Sequence, residues 1–290
     1  MKKTFTIISI IVFTFLAINS MAKAEIKVVT SIKPIHSLAS YVMDGVGKPD
    51  IIVDGYNSPH NFSLKPSHAK MIEKANLIIW VGEDLETFLE KPLKTISKNA
   101  VNFEIMDLKG IKKLKFREKN IFEGHDDHGH GHKDHKEHGH DEHKEHGHKE
   151  KKHDDHGHEG HAHGEHDPHV WLDPMNAKII VKEIENQLVK LDPSNASKYK
   201  ANSKKAQSEI DNLTKNIKKD LKKDLRFVVF HDAYQYFENR FGIKVLGALT
   251  VNPDVLPGAE QLSEIREIIE HEKVNCLFSE PQFNPAIIKS

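Results

Sequence analysis

The stretch "IKVVTSIKPIHSLASYVMDG" (residues 26–45) predicts the fold class, because it places a strand directly before a helix. Its first part, Ile26 to Ile32, is rich in β-branched residues and predicts a buried strand. Pro34 suits the first turn of a helix and Gly45 suits its end. A strand followed at once by a helix is the first half of a βαβ unit.

The same alternation continues along the chain. The runs "PDIIVDG", "NLIIWVG" and "AVNFEIMDL" predict further strands, and "KPSHAKMIEKA" and "LETFLEKPLKTI" predict helices between them, the second broken at Pro92. Near the C-terminal end, the predicted strands "RFVVF", "IKVLGAL" and "VNCLFSE" alternate with the predicted helices "HDAYQYFENRFG" and "PGAEQLSEIREIIEHEK". The pattern predicts an α/β protein of two (β/α) lobes, each with a parallel sheet.

A long helical region separates the two lobes. Asp173-Pro174 and Asp192-Pro193 each combine an N-cap residue with a proline suited to the first helical turn. Leu213, Ile217 and Leu221 recur every four residues, which fits either a surface helix or a rod that bridges two lobes. The predicted division is an N-terminal lobe over residues 25–173, a long linking helix over 174–224 and a C-terminal lobe over 225–290.

The first 24 residues predict export. Lys2 and Lys3 precede the apolar run "TIISIIVFTFLAI", and "AKA" (residues 22–24) supplies a cleavage signal, so the mature chain is expected to begin at Glu25. The run is short for a membrane span, although an uncleaved anchor is the alternative. A protein exported in this way from a bacterium is expected in the periplasm, without membrane insertion after cleavage.

A histidine-rich tract interrupts the first predicted lobe. The apolar pattern stops between residues 120 and 167, which predicts disorder without a ligand. Between His125 and His166 the tract carries 12 acidic residues and 6 lysines, so the net charge of −1 conceals an acidic insert, and no basic stripe indicates nucleic acid. Sixteen histidines lie in the tract and predict several weak metal sites, with a solvated spacer as the alternative: His125, His128, His130, His132, His135, His138, His140, His143, His146, His148, His153, His156, His158, His161, His163 and His166.

Three histidines outside the tract share a type of location. His60 follows the strand "DIIVD", His169 precedes the long helical region, and His231 ends a buried strand. Ligands of open α/β sheets bind at the carboxyl ends of strands, and three imidazoles with one open position suit tetrahedral zinc. Each histidine alone also fits a structural role; His231, for example, could bond to a neighbouring polar side chain.

The chain resembles the substrate-binding proteins of bacterial zinc-uptake ABC transporters. The resemblance rests on "SPHNFSLKPS", "ANLIIWVGEDLETFLEKP", "DPHVWLDPMNA", "VVFHDAYQYFENRFG", "PGAEQLSEI" and "CLFSEPQFNPAII". It implies two lobes joined by a long helix, with the metal in the cleft and His60, His169 and His231 as its ligands. Manganese-binding relatives carry a carboxylate at the position of His231, so the resemblance implies zinc.

The resemblance also implies partners and a longer C-terminal end. The expected partners are Zn²⁺ and an inner-membrane permease with its cytoplasmic ATPase, served by a monomer without enzymatic activity. Relatives continue past "EPQF" and often place a second cysteine there, so the second lobe is expected to be incomplete and Cys276 to lack its disulfide partner. The alternatives are a zinc buffer acting through the tract, a carrier of manganese or another divalent metal, and a zinc hydrolase; the absence of H-E-x-x-H disfavours the last.

Overall fold

The computed structural model describes residues 25–117, 119–122, 165–222, 224–251, 253, 255 and 257–283. The strands are β1 (Val28–Ile32), β2 (Asp50–Val53), β3 (Leu77–Trp80), β4 (Val101–Glu104), β5 (Phe227–His231), β6 (Ala248–Thr250) and β7 (Cys276–Phe278). The helices are α1 (Lys33–Val42), α2 (Pro66–Lys74), α3 (Thr87–Thr95), α4 (Pro174–Leu191), α5 (Ala196–Asp220), α6 (Gln235–Phe241) and α7 (Ala259–His271). The chain forms two compact units: unit 1 holds residues 25–111 and Pro174–Asn216, and unit 2 holds Lys112–Asp173 and Ile217–Ser290.

Unit 1 is built on a parallel sheet with the strand order β2-β1-β3-β4. All residues of β1 and β3 are buried, as expected for central strands of a parallel sheet covered on both faces. Helix α4 packs against α1 and buries Ile180, Ile184 and Leu188, which lie four residues apart on one face. The strand-helix alternation read from the sequence is therefore confirmed in this unit.

A buried carboxyl group accepts hydrogen bonds from the backbone directly after β3. Glu86 has no exposed surface, and its Oε2 accepts hydrogen bonds from the backbone N–H groups of Val81 (2.8 Å) and Gly82 (3.0 Å). Its Oε1 is buried without a hydrogen-bond partner among the described residues. Burial raises the pKa of Glu86 to about 7, although the two N–H groups oppose the rise.

The predicted linking helix is two helices. Helix α4 ends at Leu191, a 3-10 turn spans Pro193–Asn195, and α5 begins at Ala196. Pro193 has no N–H to continue the α4 hydrogen-bond ladder, and buried Asp192 accepts bonds from the side chains after it, including the Tyr199 hydroxyl at 3.0 Å. The linking region predicted over 174–224 is therefore broken where its second start signal lies.

Unit 2 is built on a smaller parallel sheet with the order β6-β5-β7. Strand β5 is buried along its whole length, whereas β7 has exposed Cys276 and Phe278. Helix α6 ends at Gly242, whose φ of 66° is the left-handed conformation that glycine adopts without steric cost. The described part of this unit thus has one fully buried central strand and two shorter neighbours.

The sequence predicted that the histidine-rich tract belongs to the N-terminal lobe. This is wrong for its flanks, which belong to unit 2. Asn120 O accepts a bond from Ala248 N (2.8 Å), and Phe122 N donates to Leu246 O (3.0 Å). Lys115 and His166 form an antiparallel bridge, which brings the two flanks side by side. The bonds of Asn120 and Phe122 join segments more than 100 positions apart, which local patterns do not reveal.

Two local expectations were also wrong. Pro92 lies inside α3 without ending it, because its carbonyl still accepts from Ile96 N (2.8 Å) and Leu89 and Leu93 are buried on either side. The strand expected in "IKVLGAL" is shorter, since only Ala248 onward forms β6. No helix within the described ranges is long and apolar enough to cross a membrane; the export signal expected over residues 1–24 lies outside them.

Candidate metal centre

His231 is the last residue of β5 and is 4% exposed. The five residues of β5 are buried, so the strand carries the imidazole to the carboxyl end of the sheet without exposing it. Its register partner on β6 is Thr250, which fixes the backbone on one side. The location at a strand end agrees with the sequence prediction for this residue.

His169 lies in the turn that precedes α4 and is 5% exposed. A 3-10 turn, Val170–Leu172, follows it directly. The backbone N–H of His169 donates to Asp167 Oδ1 (2.9 Å), and its ring Nδ1 lies 2.6 Å from the same oxygen. One carboxylate oxygen therefore holds both the backbone and the ring of this histidine.

The two imidazoles of unit 2 lie side by side. The ring centroids of His169 and His231 are 4.9 Å apart at 68°, and each offers a ring nitrogen within 4.8 Å of one on the other. Trp171 packs on the first ring (5.3 Å) and Phe283 on the second (5.6 Å). Two nitrogens on a tetrahedral zinc ion are about 3.3 Å apart at Zn–N distances of about 2.0 Å, so small side-chain rotations would let both bind one ion.

Unit 2, which holds this histidine pair, also contains three buried carboxylates. Asp167, Asp232 and Glu238 are each less than 10% exposed, and Arg117 donates to the last two at 3.0 Å. Burial raises the pKa of Asp232 to about 7, against the opposing effect of the Arg117 guanidinium, and burial also raises the pKa of Glu238. Burial therefore favours the neutral form of these two carboxyl groups, and a cation bound nearby would favour their charged form.

His60 belongs to unit 1, in the loop after β2. The loop turns at Gly55, whose φ is 71°, and His60 N donates to Ser58 Oγ (3.3 Å). Two residues later, the Phe62 ring packs against His68 (centroids 5.5 Å) and Phe88 (5.2 Å). These contacts fix the loop beside a half-buried His60 at the carboxyl end of its strand.

The remaining predicted metal residues are only partly described. Of the tract, only His166 is described, half-buried in the bridge to Lys115. The other fifteen tract histidines, His125 to His163, lie outside the described residues. Cys276 is an exposed free thiol on β7.

Sequence reasoning missed the carboxylates near the histidine pair. Asp167 stands two residues before His169, a spacing that could have suggested a side-chain bond to its ring. The sequence near Arg117 gave no indication of its role, because Arg117 bonds to Asp232, more than 100 positions away. Glu280 is also close: burial raises its pKa, and the hydrogen bond that it accepts from the Tyr234 hydroxyl (3.0 Å) opposes that rise.

Nearly the whole chain matches a known protein family. The family described as zinc-uptake complex component A, periplasmic, matches residues 28–290. The high-affinity zinc uptake system protein ZnuA of Brucella abortus (strain 2308) is 48% identical over 274 residues, covering 94% of this chain and 81% of that protein. The ZnuA protein of Yersinia pestis is 35% identical over 94% of this chain and 80% of its own length.

Solved structures share the fold. A mutant of the laminin-binding adhesin Lmb from Streptococcus agalactiae has a TM-score of 0.66 and 23% identity, covering 91% of this chain and 84% of its own. Zn(II)-bound AdcA from Streptococcus pneumoniae has a TM-score of 0.64 and 19% identity, covering 92% of this chain and 48% of its own. At these identities the two likenesses support the fold alone.

Proposed function

Because the chain belongs to the family of periplasmic zinc-uptake complex components, we propose that it captures Zn²⁺ and delivers it to an inner-membrane ABC permease for import. The observation that carries this proposal is the buried pair of His169 and His231, with ring nitrogens close enough to bind one ion. Export with cleavage after Ala24, action as a monomer and docking on a permease served by an ATPase are parts of the same proposal.

The proposed ligands are His60, His169 and His231. The first comes from unit 1 and the other two from unit 2. Three neutral imidazoles leave one tetrahedral position open, which water or a carboxylate could fill. A ligand set drawn from both units would make zinc binding and the arrangement of the units interdependent, as capture and later release require.

The donor set favours zinc over manganese. Neutral imidazole suits zinc and other borderline metals, whereas manganese prefers carboxylate and water oxygens. His231 stands where the manganese-binding relatives are expected to have a carboxylate. Imidazole binds metal only when neutral, so zinc binding by the histidine-rich tract is expected to weaken as the pH falls through about 6.5.

Catalysis is not part of the proposal. The family is one of transport components, and the sequence contains no H-E-x-x-H motif that would pair two zinc ligands with a general base. Captured zinc is accordingly cargo, to be released chemically unchanged.

Zinc titration of a triple variant, His60→Ala/His169→Ala/His231→Ala, tests the proposed ligands. The tight binding phase is expected to disappear, while weaker binding by the intact tract persists. His271→Ala is the matched control, because this histidine is exposed near the end of α7 and bonds to Glu272 (2.9 Å). Survival of the tightest phase in the triple variant would contradict the ligand assignment.

The density of histidines in the tract favours a second candidate function, a zinc buffer in which the tract is the main binder. Deleting residues 124–165 separates the two functions. Under the transport proposal, the number of zinc ions bound falls, while tight binding and growth on scarce zinc persist. Loss of both together would favour the buffer.

A further inference from the structure

Asp167 is fully buried beside the histidine pair, and all of its described contacts are inside unit 2. Its Oδ1 accepts from the backbone N–H of His169 (2.9 Å) and lies 2.6 Å from the ring Nδ1 of the same residue. A short contact between a carboxylate oxygen and Nδ1 requires the proton on Nδ1. In the neutral ring the other nitrogen, Nε2, then carries the lone pair that can bind a metal ion.

Helix α6 holds Asp167 in this orientation. Gln235 Nε2 donates to Asp167 Oδ2 (3.2 Å), and the buried Tyr236 hydroxyl donates to the Asp167 backbone carbonyl (2.7 Å). The same hydroxyl accepts from Leu114 N (2.9 Å), so it also joins the segment preceding the tract. Both oxygens of the carboxylate are therefore engaged by protein donors and oriented by them.

We propose that Asp167 is a positioning residue for zinc capture, which fixes the His169 ring and its Nδ1–H tautomer so that Nε2 faces the ion. The proposal rests on the proposed function, because it takes His169 as a ligand. Carboxylate partners of this kind hold ligand histidines in one tautomer and raise their basicity. Asp167 acts through His169 and does not itself bind the metal.

The tautomer can be measured without any substitution. In the metal-free protein at pH 8, ¹⁵N-resolved histidine spectra are expected to show His169 in the Nδ1–H form, its signals assigned by their loss in His169→Ala. The opposite tautomer, with the proton on Nε2, would overturn the proposal.

Zinc affinity is measured by competition with a chelator in the full chain. Asp167→Ala is expected to weaken the tight site about 10- to 100-fold. Asp167→Asn keeps an acceptor oxygen but loses the charge, so it is expected to weaken the site less, by about threefold to tenfold. The matched control is Asp173→Asn: Asp173 is 2% exposed in the same unit, and its two carboxylate oxygens accept from Arg240 (2.7 and 2.6 Å).

The outcomes separate this proposal from the ligand assignment. Loss of the tight phase in His169→Ala, with both Asp167 variants binding like the Asp173→Asn control, would overturn the positioning role alone. Retention of the tight phase in His169→Ala would instead overturn the ligand assignment. If Asp167→Ala does not fold, Asp167→Asn and the wild-type tautomer decide the question.

Discussion

Replacement of Glu86 by glutamine should stabilise unit 1, and the gain should grow with pH. The carboxyl group is fully buried, and its pKa rises from 4.5 to about 7 because burial disfavours the charged form. The folded protein therefore holds this proton up to a higher pH than the unfolded chain does. The free energy of unfolding of the wild-type protein therefore falls as the pH rises from about 4.5 to about 7. Above about pH 7 it stays lower than at acidic pH by a constant amount.

The size of the effect follows from the shift in pKa. A rise from 4.5 to about 7 corresponds to about 3 kcal/mol at about 1.36 kcal/mol per pKa unit. The same linkage leaves less than about 1 kcal/mol at pH 5, where the folded group is still protonated and the unfolded group is only about half a pH unit above its pKa. Glutamine keeps an oxygen that accepts hydrogen bonds from the N–H groups of Val81 and Gly82. It carries no charge at any pH, so it avoids the free-energy cost of burying an ionised carboxylate.

Urea unfolding followed by tryptophan fluorescence measures this difference. The chain has two tryptophans, Trp80 in unit 1 and Trp171 in unit 2, so a Trp171→Phe background makes Trp80 the reporter of unit 1. EDTA removes the contribution of bound metal. Glu185→Gln is the control, because this buried carboxylate of the same unit is paired with Lys182 (2.7 Å) and its loss should not stabilise. An effect of Glu86→Gln that is equal at pH 5 and pH 8 would refute the reasoning.

Three further predictions concern the site and its surroundings. Arg117→Met should lower the urea stability of unit 2, read from Trp171 fluorescence, by about 2 kcal/mol, because two buried carboxylates lose their charged donor; an unchanged midpoint would contradict this. Phe62→Ala should weaken tight zinc binding roughly fivefold by loosening the loop of His60, and an unchanged dissociation constant would count against that loop as a ligand segment. Cys276 should react fully with a thiol reagent in native buffer, since it is exposed; labelling that requires denaturant would disagree.

Local sequence patterns were sufficient to predict the elements whose residue types alone indicate a buried strand or a helix start. The β-branched runs of β1, β3 and β5 and the Asp-Pro helix starts were all read from the sequence. The strand-end location of His231 followed from the same reading. These features depend on neighbours within a few residues, which is the range that propensity and capping report.

Patterns failed where distant segments determine the outcome. The stripe of Leu213, Ile217 and Leu221 suggested one apolar face of α5, yet Leu213 is 56% exposed and the buried positions include Tyr199 and Ala206. Which face of a mostly polar helix is covered depends on its partners, and the sequence of the helix alone does not contain them. The pairing of Arg117 with Asp232 and Glu238 was equally absent from local patterns, because these contacts span more than 100 positions.

The antiparallel bridge between Lys115 and His166 has a consequence for how this protein can evolve. Since both ends of the histidine-rich insertion are fixed side by side by backbone pairing, repeats can be gained or lost between them without moving either end. The closure cost of a flexible loop grows slowly with its length, by about 0.6 kcal/mol for each doubling. Under the proposed function, the number of tract histidines could therefore change without altering the contact between Asp167 and His169 just beyond the bridge.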